Sequence, residues 1–179
     1  GGGLGLGLGL TALGESLLKR LWPSGRQVVV DEQTIQLRAD GRLTSLDRTK
    51  LITPTYWYFQ LKGYPRAGAE RRPPEGHFCL ACRLQQDEAT IILFTFASPK
   101  LAATWTADKR FHELPPAALY GKGPGRRLFT PPTRPKLSAE LIRSKDGPYW
   151  LAERGRWQDG LELTESDFTQ LMGILDFGF

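Results

Sequence analysis

Through the middle of the chain apolar and polar positions alternate with a period of two, the pattern of half-buried strands. Val28 to Val30 and the Ile35/Leu37 pair flank Asp31-Glu32-Gln33, which predicts a hairpin over residues 28–38. Asp40-Gly41 marks a second hairpin turn. Residues 43–52 follow as a third strand with Leu43, Leu46 and Leu51 as its apolar positions, broken at Thr53-Pro54. In 55–62, Trp57, Phe59 and Leu61 share one face and predict core. Tyr56, Tyr58, Gln60 and Lys62 share the other and predict a wet aromatic surface. Residues 77–86 form a strand with Phe78, Leu80, Cys82 and Leu84 inward. Asp87-Glu88 turns it into 90–97, a more apolar and central strand.

The period then changes. Ser98-Pro99 reads as an N-cap followed by proline at the first helical position, so 100–107 is a short helix. Residues 136–144 read as a strand, with Asp146-Gly147 as its turn and 149–154 pairing back. Thr164 caps a last helix, with Asp167 three residues on in an approximate capping box. Phe168, Leu171, Met172 and Leu175 give this helix a buried stripe. The sum is an α+β, β-rich domain over residues 27–179. It would be an antiparallel barrel or sandwich of about seven strands, closed by the C-terminal amphipathic helix.

Residues 1–26 stand apart. Leucine and glycine alternate from Gly3 to Leu10, and the apolar run ends at Glu15, short of the roughly 20 residues a membrane helix needs. Gly1, Gly5 and Gly9 have the spacing that lets membrane helices approach closely. Leu10, Leu13, Leu17, Leu18 and Leu21 continue at helical spacing to a stop at Pro23. Lys19, Arg20, Trp22 and Arg26 resemble a juxtamembrane girdle of cations and an interfacial tryptophan. Two readings are open: the end of a membrane helix, or a glycine-rich lead-in to an amphipathic helix.

Composition adds charge to this picture. The formal net charge is +5 over 179 residues. The loop 63–76 carries Arg66, Arg71 and Arg72, directly after Lys62. The loop 120–136 carries Lys122, Arg126, Arg127, Arg134 and Lys136 and no acid. Both loops would suit anionic headgroups. Single-stranded nucleic acid would use the same cations, with Tyr56, Tyr58 and Tyr64 as stacking platforms. Gly121 to Arg127 is read as a flexible basic loop, because a phosphate loop needs a strand before it and a helix after it.

Catalytic chemistry is sparsely supplied. Cys79 and Cys82 lie three apart on a strand, hence on opposite faces, and read as core thiols. His77 and His112 are the two histidines, and neither has a serine and an acid beside it in sequence. The carboxylates Asp87 and Glu88 suit a turn, and Glu165 and Asp167 a helix N-terminus. No metal site, cofactor or catalytic residue is expected; an enzyme of unassigned chemistry, with a site that only the fold assembles, is the remaining alternative.

The run from Val28 through Asp31-Glu32-Gln33 to Leu37, the string of strands and the closing segment from Leu163 to Leu175 resemble the bacterial pleckstrin-homology-like domains. The resemblance covers 27–179 in outline and is one of element pattern. It implies a non-catalytic domain on the cytoplasmic side of a membrane, or in the cytoplasm, binding a protein partner or anionic lipid. The loops at 63–76 and 108–136 are longer than such a domain needs. A second likeness, over Leu141 to Leu175, is to the single-stranded-DNA-binding transcriptional-coactivator fold and implies a nucleic-acid-binding module.

Overall fold

The computed structural model describes residues 20–21, 25–61, 73–74, 76–115 and 136–176. Its strands are β1 (Arg20–Leu21), β2 (Gln27–Val30), β3 (Thr34–Ala39), β4 (Arg42–Asp47), β5 (Thr53–Gln60), β6 (Phe78–Gln86), β7 (Ala89–Ala97), β8 (Phe111–Glu113) and β9 (Leu161–Glu162). Its helices are α1 (Pro99–Thr106), α2 (Ala139–Arg143), α3 (Gly147–Asp159) and α4 (Glu165–Asp176). The protein is α+β and mostly β. Two compact units divide it: Gly1–Thr53 with the hairpin tip Leu84–Ile91, and Pro54–Arg83 with residues 92–177.

The first unit holds an antiparallel sheet in the order β1-β2-β3-β4. Val28, Val30, Ile35, Leu37 and Leu46 are buried in it, as the alternation predicts. The Asp31 carboxylate accepts from the backbone of Gln33 and Thr34 at 2.8 and 2.6 Å, and so closes the β2–β3 turn. The second turn is Asp40-Gly41, both with positive φ. β4 ends at Asp47, earlier than the apolar pattern suggests. There the Gln86 side chain takes the place of a neighbouring strand, accepting from Asp47 N–H and donating to its carbonyl, both at 2.8 Å. One expectation is corrected here. The helical spacing runs through Leu21, yet Arg20 and Leu21 are extended and pair with Val28 and Gln27. The rest of the leading segment, including Lys19 and Trp22, lies outside the described residues.

The larger sheet has the order β8-β5-β6-β7-β9, with β8 and β9 as open edges, so it does not close into a barrel. Both edge strands pair in parallel, β8 with β5 and β9 with β7, where hairpin-connected antiparallel strands are expected. Helices cover both faces. α3 packs on Trp57, Phe59, Leu61, Cys79, Ala81, Ile92, Phe94 and Phe96 through Trp150 and Ala152. On the other face Tyr56 meets Phe111, which meets Trp105 of α1, which meets Phe168 of α4. This double cover explains why Cys79 and Ala81 are as buried as Leu80, Cys82 and Leu84. It also corrects the wet aromatic face: Tyr56 is buried.

Residues 136–144 and 149–154, expected as a strand pair, are instead α2 and α3. Gly155 interrupts the helical pattern of α3 and lies against the sheet. A Cβ there would stand 2.8 Å from Ile92 Cδ1 of the sheet beneath. Gly147 is tighter still, because a Cβ would overlap the Ile142 carbonyl where α2 turns into α3. α1 and α4 form as expected, with Ser98 and Thr164 accepting from Leu101 N–H (3.4 Å) and Asp167 N–H (3.1 Å). Among the described residues no helix is long and apolar enough to cross a membrane.

Candidate functional site

Parallel pairing of β5 with β8 places Tyr58 opposite Glu113, so the two strands end side by side. Each end leads into one of the basic segments. Leu61, just beyond β5, donates its N–H to the His77 carbonyl at 2.8 Å, closing the base of the first segment. The Gln60 amide adds a bond to the Gly76 carbonyl at 3.4 Å. Leu114, just beyond β8, donates to the Tyr58 carbonyl at 2.9 Å and opens the second segment. That segment returns at Lys136, and Leu137 then packs on the core. Leu61 and Leu114 belong to the cluster beneath α3, and Leu137 packs against it. Three of the four segment ends are therefore fixed on one body of packed side chains, and hydrogen bonds at His77 and Gly76 fix the fourth.

Around these roots lies a small set of polar contacts. His112 of β8 sits beside Trp57 in register. Its Nε2 lies 2.9 Å from Asp146 Oδ1, and its ring stacks on Tyr149 with centroids 4.0 Å apart. Asp146 is the N-cap residue of α3, but its side chain serves His112 and makes no cap bond to the helix. The Tyr58 hydroxyl donates to Glu113 at 3.4 Å. Burial first, and then the Glu113 charge, raise the Tyr58 hydroxyl above its ordinary pKa.

What holds α3, and with it the return of the second segment, is a buried ion pair. Glu153 and Arg156 are 1% and 2% exposed. Arg156 grips the carboxylate with Nε at 2.9 Å and Nη2 at 2.5 Å. Trp57 and Trp157 donate their indole N–H to the same carboxylate at 2.7 and 3.0 Å. The guanidinium carbon lies 4.6 Å from the Phe94 ring centroid, 5.7 Å from Phe59 and 6.0 Å from Phe96. The four donors and the stacking replace the water both charges leave behind, without which such a pair is costly. Sequence reasoning missed it by reading Tyr149 to Arg154 as a strand. The usable signal was Trp150, Glu153 and Trp157 at i, i+3 and i+7 after an Asp-Gly-Pro helix start.

The anticipated binding residues divide sharply. Lys136 is described and exposed. Arg26 is described and ion-paired to Asp40 at 3.3 Å. Arg20 is described by its backbone alone, in β1. Lys62, Arg66, Arg71, Arg72, Lys122, Arg126, Arg127, Arg134, Lys19 and Trp22 lie outside the described residues, as does Tyr64. Cys79 and Cys82 are free, buried thiols. Burial pushes Cys79 up and Cys82 up to about 12, so both stay protonated. Among the described residues no three or more His, Cys, Asp or Glu side chains converge as a metal site. Comparison of the chain with models of protein families, with curated proteins and with solved structures gives no match.

Proposed function

We propose that the chain is a non-catalytic interaction domain. On this reading it binds anionic groups, membrane headgroups first, through its two basic segments acting together. The observation that carries it is the shared root: both segments spring from neighbouring, parallel strand ends and are anchored on one core cluster. The second segment, up to Lys136, has five cations and no acid; the first, with Lys62, has four cations against Glu70 and Glu75. In the larger unit Glu153 is paired with Arg156, and Arg110 with Asp108 and Asp176. The pleckstrin-homology-like reading gains from the antiparallel β2–β4 meander in one unit and from the C-terminal helix on the larger sheet in the other, but the parallel edges depart from that family. The proposal therefore rests on the segments rather than on the resemblance.

The alternative, a module for single-stranded nucleic acid, loses one stacking platform because Tyr56 is buried. The test is flotation of the full chain with vesicles of neutral lipid or of neutral lipid plus phosphatidylserine. Each cation near a charged bilayer contributes about 1 kcal/mol. Binding to anionic vesicles that weakens steeply with salt is expected. Equal flotation with both lipids, or none with either, rejects the headgroup reading.

A further inference from the structure

Among the described arginines that are not exposed, Arg83 stands out. Arg26 has Asp40, Arg156 has Glu153, and Arg48 lies near Asp31. Arg83 is half-buried on β6 with no carboxylate in ion-pair reach among the described residues. It shares a face of the sheet with Cys79 and Ala81, the face that α3 covers further along. Its Nη2 donates to Thr55 Oγ1 on the neighbouring strand at 3.3 Å. Its Nε is enclosed and has no hydrogen-bond partner.

A guanidinium taken partly out of water without a counter-charge carries a desolvation cost with no Coulombic return. Burial accordingly pulls the Arg83 pKa below its ordinary value. Methionine or leucine would satisfy the packing at this point of the strand without that cost. Thr55 accepts from Arg83, so its own O–H can still donate to another group. With Nε enclosed, the two side chains together offer the outer N–H groups of the guanidinium and a hydroxyl, donors that oxyanions take from proteins. We propose that Arg83 and Thr55 form a receptor for one oxyanion of the phosphate type, either free or carried on a headgroup. It is distinct from the basic segments and does not depend on them.

The experiment follows the Arg83 Nε–H cross-peak in nitrogen–proton spectra of the full chain, identified by its loss in R83K. Inorganic phosphate and glycerol 3-phosphate are titrated at ionic strength matched with sodium chloride. The expected result is a saturable shift of this peak and of the Thr55 amide, the tighter probe telling free phosphate from headgroup. In R83K, which keeps the charge but not the fork, affinity read at the Thr55 amide should fall at least about tenfold. A variant with all segment cations replaced by serine should respond as the native chain does. The proposal is overturned if neither probe moves the peak beyond chloride, if R83K binds as well as the native chain, or if the response vanishes in the serine variant. R83M adds a check on folding: it should melt no lower than the native chain in phosphate-free buffer and gain nothing from phosphate.

Discussion

The two faces of the larger sheet are closed by different physics. On one, α1 and α4 meet the strands through rings and aliphatic chains: Trp105, Phe111, Phe168, Leu171 and Met172 are buried there, and burial pushes the Tyr56 hydroxyl up to about 12. On the other, α3 inserts a carboxylate and a guanidinium between two tryptophans and three phenylalanines. The apolar face is held by close packing, without a directional bond to fix one register. The polar face fixes the helix at one register, because four donors must meet one carboxylate. The face that needs a fixed register is the one from which the second basic segment returns.

The largest effect should come from breaking the polar pair on one side. E153L leaves Arg156 buried without its carboxylate and should cost about 3–5 kcal/mol in urea unfolding. The double variant E153L/R156M should recover most of that loss. If the double variant is as unstable as the single, the pair is not what distinguishes the faces. On the apolar face L171A should cost about 2–5 kcal/mol with no partner substitution able to restore it. W57F removes one donor to a charged acceptor and should cost about 1.5–3 kcal/mol, with a coupling to E153L that a double-mutant cycle would reveal.

The smallest effect lies at the rim of the apolar face, where Arg110 bonds Asp108 and Asp176. The Arg110 hydrogen bond holds Asp108 below its ordinary value of 3.8. A carboxylate depressed in the folded state stabilises above its unfolded pKa, and that stability is lost as pH falls through the folded value. R110M should therefore cost under about 1 kcal/mol at neutral pH. The difference from the native chain should shrink as pH drops below about 4. A difference that stays constant down to strongly acid pH would remove Arg110 from this role.

Much of the local structure was legible in the sequence. The Asp31 and Asp40-Gly41 turns, the β5 to β7 strands, the Ser98 cap and the Thr164 cap all carry their chemistry within a few residues. What escaped was non-local. β8 and β9 have three and two residues and pair in parallel with strands far off in the chain, so no alternation marks them. α3 was hidden by Gly155, which lies close over Ile92 of the sheet. The charges of the basic segments could be read directly, but their common root depends on the β5–β8 pairing. Arg83 drew no notice, because a lone arginine gains meaning only when its surroundings are seen to lack an acid.

The central claim is that the two segments act as one anionic-surface reader because they share a root. The most direct measurement compares vesicle affinity for four chains: native, first segment neutralised (Lys62, Arg66, Arg71 and Arg72 to serine), second segment neutralised (Lys122, Arg126, Arg127 and Arg134 to serine), and both. If the segments face one surface, each neutralisation weakens binding to phosphatidylserine vesicles and the double variant loses it at physiological salt. Affinity unchanged in the double variant, or dependent on one segment alone, would contradict the account.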